Sequence, residues 1–207
     1  KGHWSTKYKK FSSYKDNEDS ISIDLELGNQ YSQAKGFSFF GVYDGHGLEG
    51  KKVSEICSEK LSRYVAKNLL QDYRDQTKVK SAIKKGFKQT EQDLKLELFS
   101  TNAGSTAVMA VMILLKDLII VYVGDSSAFI SSNRLFAKIT KEHDLYNKSE
   151  ILWLRTQKKN CGYSIRFAPN KREKYWDLNN ISGRGIQYTR SFGDFYIKDK
   201  AKNSLIG

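Results

Sequence analysis

Hydrophobic and polar residues along this chain follow patterns that predict strands and helices in turn. Residues 37–43 are aromatic and apolar and are bounded by Gly36 and Asp44-Gly45, which predicts a buried strand that ends in a turn. Apolar residues then recur at helical spacing between lysines and glutamates, which predicts an amphipathic helix. Its core-facing stripe consists of Val53, Ile56, Cys57, Tyr64, Val65 and Leu69. A second apolar stripe predicts another helix over residues 79–98.

The middle of the chain is richer in β-branched and aliphatic residues. Residues 106–115 and 118–123 predict two buried antiparallel strands joined by a tight hairpin at Lys116-Asp117, and residues 135–139 predict a third strand. This order of strands, helices and further strands predicts an α+β fold, an antiparallel β-sandwich flanked by helices. Residues 158–180, around the single proline, lack a clear period and predict a long loop or flap.

The composition fits one globular domain. The chain has 207 residues, of which 39% are hydrophobic, and this is enough apolar material for one core. The longest apolar run, residues 107–115, ends at Lys116-Asp117 and is too short to cross a bilayer, so no transmembrane segment is predicted. We expect a single domain over residues 1–207, with residues 158–180 as a flap-like insertion.

Charge and cysteine content indicate which classes of partner and which cellular compartment fit the protein. The 35 basic and 23 acidic residues give a net charge of +12, which attracts polyanions. Because the basic residues are scattered along the chain, we expect a solvated basic surface and no specific nucleic-acid partner. Cys57 and Cys161 have no paired spacing, which argues against a disulfide framework or a cysteine-rich zinc site. A reducing location, cytoplasmic or nuclear, fits best.

Candidate chemistry follows the first strong strand. Asp44-Gly45-His46-Gly47 comes directly after it, where polar side chains meet the end of a sheet. A carboxylate there can hold two hard divalent cations that activate water for attack at phosphorus. Glu18-Asp19 would supply further carboxylates if the alternating segment 20–27 forms a strand beside residues 37–43. The structural alternative is a plain hairpin turn at Asp44-Gly45, with the other acids solvated.

A phosphate-binding loop is a second alternative for the same segment. Gly45, Gly50 and Lys51 have the spacing of a Walker A motif after a strand, and the strand that ends at Gly124-Asp125 resembles its Walker B partner. However, Lys52 replaces the serine or threonine that would hold magnesium. The predicted strands are also antiparallel, which disfavours this interpretation.

Six separate segments, in order, resemble the metal-dependent protein phosphatase family, the PP2C-type serine/threonine phosphatases. They are segments 17–19 (Asn-Glu-Asp), 39–47 (Phe-Phe-Gly-Val-Tyr-Asp-Gly-His-Gly), 104–107 (Gly-Ser-Thr-Ala), 123–126 (Val-Gly-Asp-Ser), 135–143 and 189–194 (Thr-Arg-Ser-Phe-Gly-Asp). One such segment alone would be a weak signal. Six in the family's order are a strong one.

The resemblance implies a role for each matching residue of the site. Asp44 would bridge two Mn²⁺ or Mg²⁺ ions, and Glu18 and the carbonyl group of Gly45 would complete the ligands of one of them. Asp19 would orient a metal-bound water as a hydrogen-bond acceptor behind the ligands. His46 would be the general acid that protonates the serine or threonine leaving oxygen.

Further positions match the family's motifs outside this centre. Asp125 matches an aspartate that helps to hold a weaker third metal in some members, and its alternative is an ordinary turn residue. Thr106, Arg190 and Asp194 match motif positions that we expect to be structural. His143 has no partner pattern, so we expect an ordinary histidine there.

The chain also departs from the family's pattern. The family has an arginine that binds the substrate phosphate four residues before the early glutamate, and here that position is Tyr14. A tyrosine cannot form the bidentate charged clamp, so we expect weaker or rearranged phosphate binding. The arginine of the Gly-Asp-Ser-Arg turn is replaced by Ser127. The family's later metal-binding aspartates have no counterpart here, so we expect the first two thirds of such a domain, incomplete at the C-terminus.

The resemblance implies a metal-dependent protein serine/threonine phosphatase with two Mn²⁺ or Mg²⁺ ions. It would hydrolyse phosphoserine and phosphothreonine in a phosphorylated protein substrate through a metal-activated water, as a monomer. Two alternatives stay open. One is a catalytically inactive pseudophosphatase that acts as a protein-binding or regulatory module, and the other is non-specific polyanion binding through the net charge.

Overall fold

One antiparallel sheet with two long helices on one face forms the centre of the computed structural model, which describes residues 17–25, 36–69, 75–98, 102–157, 163–167, 174–178 and 186–198. The strands are β1 (Asp19–Asp24), β2 (Phe37–Gly47), β3 (Ala103–Ser105), β4 (Ala107–Ile113), β5 (Asp117–Val123), β6 (Phe129–Ser132), β7 (Leu135–Lys138), β8 (Tyr163–Phe167), β9 (Lys174–Leu178) and β10 (Phe192–Gly193). The helices are α1 (Gly50–Asn68), α2 (Gln76–Leu98), α3 (Lys148–Gln157) and α4 (Phe195–Lys198). The predicted fold class, α+β with an antiparallel sheet and helices, is confirmed.

The longest strand, β2, organises the six-stranded sheet. Its first part pairs with β4, and β5 follows β4, while β1 pairs with β2 on the other side. Its last three residues pair with β3 instead, and β10 adds to β3. Thr106, between β3 and β4, joins the two halves, because its N–H group donates to the Asp44 carbonyl oxygen at 2.9 Å. The end of β3, the start of β4 and strand β2 therefore meet around Asp44.

The core lies between this sheet and helices α1 and α2. Alternate residues of β2 and β4 point towards the helices, as expected for strands with one buried face. The predicted helical stripes supply the other side, and both predicted helices are confirmed. The buried core includes Phe37, Phe39, Tyr43, Met109 and Val111 from the sheet and Val53, Cys57, Leu61, Val65, Val79, Ile83 and Leu94 from the helices.

The opposite face of the sheet is apolar and exposed to solvent. Ile21 and Ile23 of β1 are 67% and 62% exposed, and Val42 and Phe40 of β2 stand directly opposite them in register. Phe40 and Val42 are in turn opposite Ala110 and Val108 of β4. One apolar row therefore continues from strand to strand across the face that the helices leave uncovered.

Two turn predictions were wrong in position. Asp44-Gly45 does not form a turn, because β2 continues through both residues and His46 to Gly47 and pairs there with β3. The β4–β5 hairpin turns at residues 114–116 and not at Lys116-Asp117, because Ile113 already pairs with Asp117. Leu114 and Leu115 both have a positive φ in this turn, at 50° and 56°, which their residue type does not predict.

Several elements were not predicted from the sequence. The strand over residues 135–139 is confirmed as β7, but its partner β6 was not predicted, and neither was α3. Segment 158–180 was predicted as a loop or flap, and its described residues form a two-stranded antiparallel sheet of β8 and β9. The physical reason is alternation: residues 163–167 read apolar, polar, apolar, polar, apolar, which is a strand pattern. No helix in the described ranges is long and apolar enough to cross a membrane.

Candidate active site

The candidate residues gather where the end of β2 meets β1, β3 and the start of α1. Asp19 of β1 stands opposite Asp44 of β2 in register, which confirms that the segment after Glu18 lies beside the strand of Asp44. On the other side of β2, Gly45 pairs with Ser105 and His46 pairs with Gly104. The hairpin-turn alternative for Asp44-Gly45 is therefore excluded, and the acids of β1 and β2 do not stand apart from one another.

Close backbone approach explains the glycines of this segment. A Cβ atom on Gly45 would lie 2.2 Å from the Gly50 carbonyl oxygen and 2.7 Å from the Glu18 carbonyl oxygen. A Cβ atom on Gly50 would lie 3.0 Å from Glu18 Oε2. The Gly45 N–H group donates to the Glu18 carbonyl oxygen at 3.3 Å. The two glycines thus let β1, β2 and α1 come together and bring the Glu18 carboxylate against the start of the helix.

The same contacts argue against a phosphate-binding loop. Gly45 lies inside an antiparallel strand, whereas a Walker A motif needs a free loop after a parallel strand. Lys51 Nζ donates to the Asp19 carbonyl oxygen at 2.8 Å and lies 3.7 Å from Glu55 Oε1. The lysine therefore ties α1 to β1, and the Walker A interpretation is wrong.

Several negative charges act on Asp44. Partial burial raises the pKa of Asp44, and the carboxylates of Asp19 and Asp125 raise it further. Like charges held this close destabilise one another unless a cation lies between them. Asp125, on the turn after β5, is thus near enough to Asp44 to act on its charge, although the two residues are far apart in sequence.

The donor chemistry fits a hard divalent cation, but the number of gathered ligands is small. Carboxylate and carbonyl oxygens are the ligands that Mg²⁺ and Mn²⁺ prefer, and Glu18, Asp44, Gly45 and Asp125 offer them, with Asp19 beside them. Among the described residues, however, no group of three or more His, Cys, Asp or Glu side chains stands close enough to hold a metal ion. Waters or ligands from outside the described residues would have to complete each coordination shell.

His46 has a partner that the sequence analysis did not assign to it. Its Nε2 atom lies 3.0 Å from Oδ2 of Asp194, and the Asp194 side chain is only 6% exposed. The ring of Tyr188 lies against the imidazole, with 4.6 Å between ring centroids. Asp194 was expected to be structural because it lies on a turn. Only the tertiary pairing of β10 with β3 brings it to His46.

The other expected structural residues are occupied by local contacts. Arg190 binds Glu150 through two hydrogen bonds, of 2.9 and 3.0 Å, and lies over the ring of Trp153. Burial opposes ionisation of Glu150, but the hydrogen bonds from Arg190 and Thr189 outweigh it and lower the pKa of that carboxyl. These contacts fasten segment 189–194 to α3.

Thr106 and His143 contact the segment that carries Asp125. Thr106 Oγ1 lies 2.6 Å from Ser126 Oγ, and His143 Nδ1 accepts the Gly124 N–H group at 3.2 Å. Ser127, which replaces the family's arginine, donates to Glu142 at 2.5 Å. Tyr14, at the expected phosphate-binding position, lies outside the described residues, so its effect on phosphate stays a prediction.

The chain matches known proteins over most of its length. The family model described as Protein phosphatase 2C matches residues 8–206. A curated relative, "Probable protein phosphatase 2C 24" of Arabidopsis thaliana, is 24% identical over 87% of this chain and 50% of its own length. The chain spans half or less of the length of several curated relatives that it matches.

Solved structures give the same fold. A Caenorhabditis elegans sex determining protein aligns with a TM-score of 0.65 at 19% identity, covering 90% of this chain and 44% of that one. The PPM Ser-Thr phosphatase MsPP from Mycobacterium smegmatis aligns with a TM-score of 0.51 at 17% identity, covering 86% of this chain and 62% of that one. At these identities the likeness concerns the fold alone.

Proposed function

This chain belongs to the protein phosphatase 2C family, and on that premise we propose that it acts as a metal-dependent protein serine/threonine phosphatase. The observation that carries the proposal is the convergence of acidic residues on Asp44, two positions before His46 on the same strand. For metal-dependent phosphoester hydrolysis a protein supplies oxygen ligands for cations that bind the phosphoryl group and a proton donor for the leaving oxygen.

The carboxylates would bind the cations. Asp44, with Glu18, the Gly45 carbonyl oxygen and Asp125, would hold Mn²⁺ or Mg²⁺, and Asp19 would accept a hydrogen bond from a water beside the ions. When bound, the metal ions supply Lewis-acid chemistry: they make water more acidic and offset the charge of the phosphoryl group. Asp19 and Asp44 stand opposite each other on paired strands of one sheet, which supports a shared role for these two carboxylates.

His46 would hold the proton for the leaving group. It lies two residues after Asp44 on the same strand, so both side chains belong to the same side of β2. When the phosphoester bond breaks, the serine or threonine oxygen leaves as a strong base and takes a proton. The imidazolium of His46 would give that proton and become neutral.

A catalytically inactive protein-binding module is the second candidate function. Two observations favour it: no three-ligand cluster is assembled among the described residues, and the expected phosphate-binding arginine is Tyr14. Such a module would bind a phosphorylated protein but leave its phosphate in place.

Hydrolysis of a phosphothreonine peptide by this chain, with and without Mn²⁺, tests the proposal. We expect Mn²⁺-dependent phosphate release that is lost in Asp44→Asn and falls about 10²-fold in His46→Ala. Asp93→Asn is a matched control, because Asp93 binds Lys60 and Tyr64 between α1 and α2, away from this site. Peptide binding without any release, in the wild type, would favour the inactive module. Release that is equal in Asp44→Asn and wild type would contradict both.

A further inference from the structure

The backbone at Asp194 has an uncommon conformation that its neighbours hold in place. Its φ is +52°, in the left-handed region where, besides glycine, mainly asparagine and aspartate occur, and Gly193 before it has a φ of +73°. Such a conformation persists only when surrounding contacts hold it. Here the Asp194 N–H group donates to the Ala103 carbonyl oxygen at 2.8 Å, and the Gly193 N–H group donates to the buried Glu91 carboxylate at 3.0 Å.

The space between Asp194 and His46 is kept open by a glycine. A Cβ atom on Gly104 would lie 2.4 Å from Asp194 Oδ2 and 2.5 Å from His46 Nε2. Any larger residue at position 104 would therefore disturb the contact between the two side chains. Ser191 Oγ donates to the same Asp194 oxygen at 2.5 Å, and Tyr188 packs on the imidazole face. The carboxylate and the ring are thus both held by side chains of one short stretch, residues 188–191.

We propose that Asp194 is a positioning residue that holds His46 with Nε2–H towards its carboxylate and with Nδ1 as the nitrogen that serves the leaving oxygen. This inference rests on the proposed role of His46 as the proton donor. An ionised carboxylate only accepts hydrogen bonds, so it keeps a proton on Nε2. The proton given to the leaving oxygen then comes from Nδ1, and the neutral ring retains Nε2–H, so no proton is lost or left over.

Asp194→Asn tests the proposal without any catalytic reaction. The backbone conformation suits asparagine, which tolerates a positive φ better than most residues. Its amide group can donate to a bare Nε2, so the substitution favours the proton on Nδ1, as for other aspartate–histidine pairs in which the aspartate becomes asparagine. The tautomer is read from ¹⁵N chemical shifts of the neutral His46 ring in metal-free protein. We expect Nε2–H in wild type and a shift towards Nδ1–H in the variant.

Kinetics supply the second readout. With Mn²⁺ present, we expect Asp194→Asn to lower kcat for a phosphothreonine peptide by about 10²-fold with little change in KM. Hydrolysis of p-nitrophenyl phosphate should fall far less, because its leaving group needs no proton. A merely structural defect would lower both rates together. Asp93→Asn serves as the matched control for loss of a carboxylate, and thermal unfolding shows that each variant is folded.

The two readouts separate this inference from the proposed function. An unchanged His46 tautomer in Asp194→Asn would overturn the positioning role, whatever the activity. Equal losses on both substrates would also overturn it. If wild-type protein released no phosphate from either substrate, the proposed function would fail, and the tautomer measurement alone would decide whether Asp194 positions His46.

Discussion

The negative charge of Asp44 destabilises the folded, metal-free chain. Partial burial and the carboxylates of Asp19 and Asp125 raise its pKa, so the ionised form is less favourable in the folded than in the unfolded chain. Its contribution to stability is therefore fully present below the ordinary pKa of an aspartate and is lost as the pH rises through the raised value. Residues kept in such a setting are candidates for function rather than stability.

We predict that Asp44→Asn makes the metal-free protein more stable at neutral pH. The gain should be about 0.5 kcal/mol, because Asp44 is exposed enough for water to screen much of the repulsion. Urea unfolding at pH 7 in a chelating buffer measures it, and the gain should disappear at a pH where the wild-type carboxyl is protonated. Added Mn²⁺ should stabilise the wild type and not the variant. A variant less stable than wild type in chelator would contradict this account.

Glu91 and Lys198 form a buried ion pair. Lys198 Nζ lies 2.5 Å from Glu91 Oε1, and both side chains are about nine-tenths buried. Burial raises the pKa of Glu91, while Lys198 and the Gly193 N–H group oppose that shift. The pair connects α2 to α4 and so supports the turn that carries Asp194.

We predict that Lys198→Met lowers the free energy of unfolding by about 3–5 kcal/mol, because it leaves a buried carboxylate without its cation. Glu91→Gln with Lys198→Met should recover most of this loss, since glutamine still accepts the Gly193 N–H group and carries no charge. Denaturant unfolding of the two single variants and the double variant gives the coupling energy. Strictly additive losses would show that the pair does not act as a unit.

At the scale of single elements, the β4–β5 turn carries avoidable strain. Leu115 has a φ of 56°, in the left-handed region, and is 86% exposed. Its side chain therefore gains little packing energy to offset this backbone conformation. A left-handed conformation costs a residue other than glycine about 1–2 kcal/mol. The turn residues of such hairpins are usually asparagine and glycine for this reason.

We predict that Leu115→Gly stabilises the protein by about 0.5–1 kcal/mol, after the entropy that glycine adds to the unfolded chain is subtracted. Leu48→Gly is the matched control, because Leu48 is 91% exposed and is not among the described residues with a positive φ. It should lower stability by a similar amount. Thermal unfolding measures both. A loss in Leu115→Gly would mean that the turn is not strained.

The elements differ in how far their sequences predict them. Helices α1 and α2 are long and carry complete apolar stripes, so periodicity predicts both. The end of β2 was mispredicted because Asp44-Gly45 has turn chemistry, yet pairing with β3 continues the strand. That pairing joins two segments that are far apart in the chain, so a local sequence pattern cannot predict it. The link from Asp194 to His46 was missed for the same reason, since 148 positions separate the two residues and only β10 and β3 bring them together.

Among the described residues, the two long helices pack on one face of the central sheet. Helices α1 and α2 cover one face of the sheet, and the other face presents an apolar row across β1, β2 and β4, which includes Ile21, Ile23, Phe40 and Val42. In most antiparallel sheets with one solvated face, the residues on that face are polar. Contiguous apolar surface of this kind is uncommon on soluble monomers and binds other apolar material.

We predict that this face binds a hydrophobic dye in the isolated 207-residue chain. Ile21→Thr, Ile23→Thr and Val42→Thr together should lower the fluorescence of bound 8-anilinonaphthalene-1-sulfonate several-fold. Threonine keeps the β-branched shape that favours strands, and the residues are exposed, so the unfolding midpoint should change little. The control replaces the same number of scattered exposed residues, in Leu48→Gln, Leu96→Gln and Leu152→Gln. Dye binding depends on a continuous apolar surface, so these changes should leave it nearly unchanged. Equal effects of the two triple variants would show that the sheet face is already covered in solution.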